Sequence, residues 1–293
     1  MVTCPSSAFL HPDVTASSLR QLRVDFTNQR LHLVEREIKA NGEVIAEITR
    51  FLHLQNLVEL GIFVTQTDRH FLGKCFDQLV GCRVKNIKFI GLHFHIGSQI
   101  LDMGDFVALC NRVNELQDKL EARRILVEHI NVGGGLGIDY GHPNRQAIPN
   151  FKDYFATYAG QLKLRPYQTL HFELGRAVVG QCGTLISKVL YVKQGAKKKF
   201  AILDAGMTDL IRPALYQAYH KMENLTSEEP MEVYDVVGPI CESSDVFGKA
   251  IDLNKVKRGD LIALRSAGAY GEIMASGYNC RELPKGYTSD ELV

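Results

Sequence analysis

Apolar and polar positions follow two textures along this chain, and the change between them falls near residue 180. In the first texture, short apolar runs alternate with amphipathic stretches. Ile87 to His95 predicts a strand that ends in Gly97-Ser98. Gly104 to Arg123 predicts a helix, with apolar residues at Phe106, Leu109, Val113, Leu116 and Leu120 in helical spacing. Ile125 to Val132 predicts a second strand that ends in three glycines. A helix over Phe151 to Leu162 and a third strand over Thr169 to Glu173 follow, the latter ending in Leu174-Gly175-Arg176. Strands that alternate with helices imply βα units and a parallel sheet or barrel. Catalytic groups in such barrels sit at the C-terminal ends of the strands. All three strands here end in residue types that bind or catalyse.

Upstream the pattern is less regular. Residues 1–18 read as a polar entry containing Pro and Ser, and residues 19–60 are mixed, with a helix-like stretch around Val44 to Leu60. Downstream of Arg176 short β-rich runs appear: Gly183 to Val192, Lys199 to Asp204, Val233 to Gly238 and Asp260 to Ser266. Turn residues separate them. The expected architecture is therefore α/β plus all-β, with an α/β barrel domain over residues 1–180 and a C-terminal β-domain over residues 181–293. Lys197-Lys198-Lys199 is expected at a solvated hairpin end, where charge discourages edge pairing.

Composition narrows the function classes. The 293 residues are 45% hydrophobic and 23% charged, with a formal net charge of +1. Bulk attraction to nucleic acid or to an anionic membrane is not expected. The seven cysteines are odd in number, widely spaced and without a CxxC pair, which argues against a disulfide framework or a metal site and for a reducing cytoplasm. The N-terminal residues do not read as a signal peptide. No run of about 18 apolar residues predicts a membrane span.

The strand ends carry the candidate chemistry. His93 and His95 face one side of a strand, and Ser98 follows in a turn. An imidazole there can lie on a cofactor ring, or it can be a satisfied core histidine. Gly133-Gly134-Gly135-Leu136-Gly137 lets backbone approach an anion closely, as a phosphate cradle does, although a tight turn also needs glycine. Glu173 and Arg176 place an acid and a base at one strand end, either to serve a pyridine nitrogen or as a structural pair. Arg212 can hold a carboxylate bidentately or lie on a surface loop. Cys241-Glu242 and Gly268-Ala269-Tyr270-Gly271 are weaker signals alone.

Together these motifs resemble the diaminopimelate decarboxylases, which are pyridoxal 5'-phosphate (PLP) enzymes with an alanine-racemase-like barrel and a β-domain. The ordered set is His-Ile-Gly-Ser, Gly-Gly-Gly-Leu-Gly-Ile-Asp-Tyr, Glu-Leu-Gly-Arg, Asp-Ala-Gly-Met-Thr-Asp-Leu-Ile-Arg-Pro, Gly-Pro-Ile-Cys-Glu-Ser-Ser-Asp and Gly-Ala-Tyr-Gly, from about residue 62 onward. Asp-Leu-Ile-Arg-Pro and Cys-Glu-Ser point to diaminopimelate over ornithine. The resemblance implies that His95 stacks on the pyridine ring, that Ser98 reaches the phosphate, and that Gly133, Gly134 and Gly135 cradle it. It implies Glu173 at the pyridine nitrogen, with Gly175 and Arg176 beside the cofactor, and Leu174 where the family has proline. It further implies Arg176, Arg212 and Tyr216 on substrate carboxylates, Cys241 as proton donor, Glu242 at the distal amine and Tyr270 on both cofactor and substrate. Cys241 and Glu242 enter the partner's site in this family, so a homodimer is implied.

The implied activity is decarboxylation of meso-diaminopimelate to L-lysine. The alternatives are a degenerate homologue that binds PLP or a partner without turnover, and a decarboxylase of another basic amino acid such as ornithine or arginine. The family's Schiff-base lysine lies on an early barrel strand, and Glu37-Ile38-Lys39-Ala40-Asn41 makes Lys39 the candidate, with a surface lysine on a helix as the alternative. An eight-stranded barrel takes about 250 residues. Residues 19–180 are too few for one, so residues 1–60 are abnormal for the family and an incomplete barrel is expected.

Overall fold

The structure is a computed structural model that describes residues 90–146 and 148–291 in full, and the backbone alone of residues 22–25, 30–33, 59–64 and 88–89. The chain divides into two compact units, one of Met1–Ser98, Asp102–Gly135 and Phe155–Glu173, the other of Gln99–Leu101, Leu136–Tyr154 and Leu174–Val293.

The first unit is built on a sheet of six strands in chain order: β1 (Leu22–Asp25), β2 (Arg30–Leu33), β3 (Glu59–Val64), β4 (Lys88–Phe94), β5 (His129–Asn131) and β6 (Thr169–His171). β1 and β2 are antiparallel, and every later neighbour is parallel. A complete barrel of this kind has eight strands, so the described strands make an incomplete one. Glu59 and Leu60 open β3, which corrects the end of the helix-like stretch expected over Val44 to Leu60. Positions 44–58 of that stretch, like residues 1–18 and Lys39, lie outside the described residues.

Helix α1 (Met103–Ala122) follows β4, and α2 (Phe151–Gln161) precedes β6. Asp102 caps α1 by accepting from the Gly104 N–H at 2.8 Å. Phe106, Leu109, Cys110, Val113, Leu116 and Leu120 are buried on one face, as the spacing predicts. The far end closes by a double turn. The Arg124 N–H reaches the Glu121 carbonyl at 2.8 Å and the Ile125 N–H reaches the Leu120 carbonyl at 3.0 Å, with Arg124 at φ +58°. That closure consumes Ile125, and the strand expected over Ile125 to Val132 is observed as His129–Asn131.

Side chains of α1 also fix the chain beyond α2. Asn114 donates from Nδ2 to the Gln161 carbonyl and accepts the Lys163 N–H at Oδ1, both at 2.8 Å. Arg165 bonds Glu121 and Asp118 at 2.7 and 2.8 Å. Tyr158 and Phe172 meet edge to face at 5.2 Å.

Alternation along β4 to β6 produces two chemically distinct faces. Leu92, Phe94, Ile130 and Val132 are buried on one. The other presents Gly91 and His93, then His129 and Asn131, then Thr169 and His171, with His93 opposite Asn131 and Asn131 opposite His171 in register. Gly91 has no room for a side chain, since a Cβ would lie 2.3 Å from the His129 carbonyl oxygen.

In the second unit a six-stranded sheet runs in the order β11-β10-β8-β7-β12-β9. Its strands are β7 (Leu185–Gln194), β8 (Lys199–Leu203), β9 (Met222–Asn224), β10 (Met231–Val237), β11 (Val246–Asn254) and β12 (Leu261–Leu264). Only β8 and β10 pair in parallel. Val189, Leu203, Met222, Tyr234, Val236, Phe247, Leu253, Ile262 and others form its buried core. The short helices α3 (Arg176–Val179) and α4 (Arg212–Tyr216) belong to this unit. The lysine run does lie at the β7–β8 hairpin, and two of its members are paired: Lys198 with Asp235 at 2.7 Å and Lys199 with Glu232 at 2.6 Å. β9 and β11 have no counterpart among the strands expected from sequence. β9 is three residues long, and the periodicity of β11 is broken by Gly248 and by Ala250 at φ +53°.

Candidate active site

The polar face of the first sheet gathers one group of site residues. Glu173, just past β6, has its carboxylate between Asn131 and His93. Asn131 Nδ2 donates to Oε1 at 2.9 Å, and His93 Nε2 lies 3.2 Å from Oε2. Asn131 also accepts the Gly133 N–H at Oδ1, at 2.8 Å, and the Glu173 N–H donates to the Gly133 carbonyl at 2.8 Å. Hydrogen bonds thereby tie the ends of β5 and β6 together, and His93 on β4 faces the same carboxylate at ion-pair distance without a hydrogen bond from Nε2. His129 Nδ1 and His171 Nε2 lie 2.9 Å apart lower on the same face.

His95 is exposed at the end of β4, and Ser98 is exposed after it. A Cβ on Gly133 would sit 3.4 Å from His95 Nδ1 and 2.3 Å from the Phe94 carbonyl oxygen, and Gly133 and Gly135 adopt φ +71° and +101°. These are backbone states that glycine takes without strain. The glycine run is more selective than the sequence implies, because the Gly133 N–H is spent on Asn131. A phosphate cradle here is left with the N–H groups of Gly134 and Gly135.

The second unit gathers a cationic group. Arg212, at the start of α4, is 5% exposed, which removes the surface-loop reading of this residue. Its Nη1 donates to the Tyr140 hydroxyl at 3.0 Å and to His220 Nε2 at 2.9 Å. Arg176 Nη1 donates to the same hydroxyl at 2.6 Å. The Arg176 guanidinium also lies 5.5 Å from the centre of the Tyr270 ring. Tyr270 holds this place at φ +61°, a strained state for a non-glycine residue. His220 is fully buried, and burial pushes its pKa down to about 4, helped by the charges of Arg212 and Arg176 against a bond to the Arg265 carbonyl. It is therefore neutral near pH 7. Tyr216 is 62% exposed at the far end of α4 and Gly175 precedes α3.

Cys241 and Glu242 sit on an exposed loop of the same unit. Asp245 anchors that loop, accepting the Met207 N–H at 2.6 Å and the Ile240 N–H at 2.7 Å. Glu242 accepts from the Tyr278 hydroxyl at 2.5 Å, and this bond to a carboxylate raises the phenol's pKa.

The sequence matches the family described as pyridoxal-dependent decarboxylase, C-terminal sheet domain, over residues 24–268. The chain belongs to this decarboxylase family. This member of the family is 93% identical over 214 residues to a diaminopimelate decarboxylase of Bacteroides thetaiotaomicron, an alignment covering 73% of this chain and 55% of the relative. It is 42% identical over 197 residues to a diaminopimelate decarboxylase of Neisseria meningitidis serogroup B, covering 67% and 46%. The crystal structure of diaminopimelate decarboxylase from Helicobacter pylori complexed with L-lysine superposes with a TM-score of 0.67 at 32% identity, covering 81% of this chain and 62% of that one. The chain thus spans about half the length of the curated relatives it matches. Among the described residues no helix is long and apolar enough to cross a membrane, and no group of three or more His, Cys, Asp or Glu residues is placed to hold a metal.

Asn131, Tyr140 and His220 are the participants that sequence reasoning did not assign. Tyr140 stands inside the quoted Gly-Gly-Gly-Leu-Gly-Ile-Asp-Tyr motif, so its position carried a signal. Asn131 and His220 declare themselves only through their contacts.

Proposed function

We propose that this chain decarboxylates meso-diaminopimelate to L-lysine with PLP, as a homodimer in the cytoplasm, the cofactor held by residues 1–180 and the β-domain formed by residues 181–293. The observation that carries the reading is the Glu173 carboxylate, hydrogen-bonded by Asn131 and 3.2 Å from His93 at the ends of three parallel strands. The residues fit the cofactor. A carboxylate held in place favours a protonated ring nitrogen beside it. A glycine turn that has no room for a Cβ at Gly133 presents N–H groups at Gly134 and Gly135 to a phosphate, and Ser98 adds a hydroxyl. His95, beside Gly133, offers a flat ring to stack on another.

When bound, PLP supplies an electron sink for the pair left as carbon dioxide departs. The chain's own residues do the rest. Glu173 would hold positive charge on the ring nitrogen, with Asn131 fixing Glu173 by its hydrogen bond. Arg212 and Arg176 bind a substrate carboxylate. The names of the relatives support diaminopimelate as the source of that carboxylate. Cys241 Sγ returns a proton to the carbon that lost carbon dioxide, and Glu242 meets the distal amine. Their exposed loop suits a role across a dimer. Tyr216, also exposed, and Tyr270 complete the substrate contacts, and Lys39 is the point of cofactor attachment.

The test is to incubate the purified chain with PLP and meso-diaminopimelate, and to measure L-lysine by chromatography with carbon dioxide release. Equal amounts of both are expected. Cofactor binding without lysine would replace this reading with that of a binding homologue. Turnover of ornithine or arginine in preference to diaminopimelate would reassign the substrate.

A further inference from the structure

Two guanidiniums converge on one phenol in the second unit, and the hydrogen count of that phenol is informative. A tyrosine hydroxyl has two acceptor positions and one proton. Arg176 Nη1 and Arg212 Nη1 take the two acceptor positions, at 2.6 and 3.0 Å. The proton that remains has no acceptor among the described residues. Tyr140 therefore presents a donor hydrogen flanked by two cations.

Arg212 shows what that arrangement lacks. It is 5% exposed, yet both groups that its Nη1 contacts are neutral, the Tyr140 hydroxyl and His220 Nε2. None of the ion pairs among the described residues includes Arg212. A buried guanidinium without an anion is costly, and the cost is relieved by a ligand that brings one. Because the two Nη1 hydrogens are spent on Tyr140 and His220, Nη2 and Nε are left for that ligand.

His220 determines which way Arg212 points. To accept from Arg212, its Nε2 must be unprotonated, so the ring proton sits on Nδ1. That proton has a recipient, the Arg265 carbonyl oxygen at 2.9 Å. Backbone thus selects the tautomer, and the tautomer fixes the guanidinium. The His220 ring also packs edge-on to Tyr140 at a centroid distance of 5.2 Å.

We propose that Tyr140 is a substrate-binding residue whose hydroxyl donates to a substrate carboxylate between Arg176 and Arg212, and that His220 is the positioning residue that aims Arg212 at it. This rests on the reading of these arginines as the carboxylate site. The carboxylate concerned is one that the reaction retains. A leaving carboxylate sheds its charge as carbon dioxide forms, so a doubly cationic clamp on it would favour the ground state over the transition state.

The test uses L-lysine, which has one carboxylate, and cadaverine, which carries the same two amines and none. Both are titrated calorimetrically into the chain with saturating PLP, and each variant's folding is checked by thermal melting. The parent binds L-lysine more tightly than cadaverine. Tyr140→Phe weakens L-lysine about tenfold, the loss of one hydrogen bond to a charged group, and leaves cadaverine within about twofold. His220→Ala produces a similar L-lysine loss, and His220→Gln, which retains an acceptor, recovers most of it. Unchanged L-lysine binding by a folded Tyr140→Phe chain would overturn the role of the hydroxyl, and equal binding by His220→Ala and the parent would overturn the positioning role. Should Tyr140→Phe not fold, the two His220 variants decide the proposal. Arg212→Met separates the two levels of failure. If it too leaves the L-lysine preference intact, or the parent shows no preference, the carboxylate reading of the arginines fails and the present proposal falls with it.

Discussion

The Asn131 side-chain amide donates to Glu173 at 2.9 Å while its carbonyl accepts the Gly133 N–H at 2.8 Å. One residue thus sets the carboxylate and the glycine turn in a common frame. Asn131→Ala removes both bonds. A hydrogen bond to a charged group contributes about 1.5–3 kcal/mol, and the half-exposed Glu173 brings this toward the lower end. Decarboxylation by Asn131→Ala should fall about tenfold or more in steady-state kcat. Glu173→Gln, which also removes the charge, should fall further. A wild-type rate in either variant would remove this frame from the reaction.

Gly133→Ala tests the turn itself. At φ +71°, with a Cβ only 2.3 Å from the Phe94 carbonyl oxygen, alanine meets both backbone strain and a clash. The left-handed state alone costs about 1–2 kcal/mol. Urea unfolding should show a loss larger than that, whereas Gly160→Ala, with nothing within 4 Å of its Cβ on helix α2, should be neutral or stabilising.

His220 makes stability depend on pH. Its pKa is near 6.5 in an unfolded chain and is pushed to about 4 by burial in the fold. The unfolded state binds the proton first as pH falls. Stability is therefore full above pH 6.5 and declines between 6.5 and 4, by roughly 3 kcal/mol in all. Chemical denaturation across that range should show a steeper fall for the parent than for His220→Gln. Parallel curves would mean that His220 is not buried neutral.

Cysteine labelling separates burial from reactivity. Cys110 is buried on α1, and desolvation pushes its thiol up to about 11, whereas Cys182, Cys241 and Cys280 are exposed. Alkylation at pH 8 followed by mass mapping should modify these three in the native chain and reach Cys110 only with denaturant.

What the sequence disclosed follows from how local each feature is. α1, α2, β4 and the hairpin of β7 and β8 were legible because apolar periodicity or a charged turn lies within a few consecutive residues. β9 and β11 were not, since one is too short for a period and the other is bent at Ala250. The site divides in the same way. Arg176, Glu173 and Arg212 stand in contiguous motifs and were singled out. The partners that orient them come from elsewhere in the chain: Asn131 is 42 residues from Glu173, and Tyr140 is 72 from Arg212. A bond across such intervals leaves no trace in spacing.

The clasp of Asn114 on Gln161 and Lys163 bears on counting. It fixes the residue at which the chain leaves α2, and hence the number of residues that remain before β6. Neighbouring residues of a strand point to opposite faces. A slip of one position after Lys163 would turn His171 and Glu173 toward the helices and bring Leu170 and Phe172 to the polar side. A buried amide on a helix thus acts as a parity check, and the chemistry at the far end of β6 depends on its staying in step.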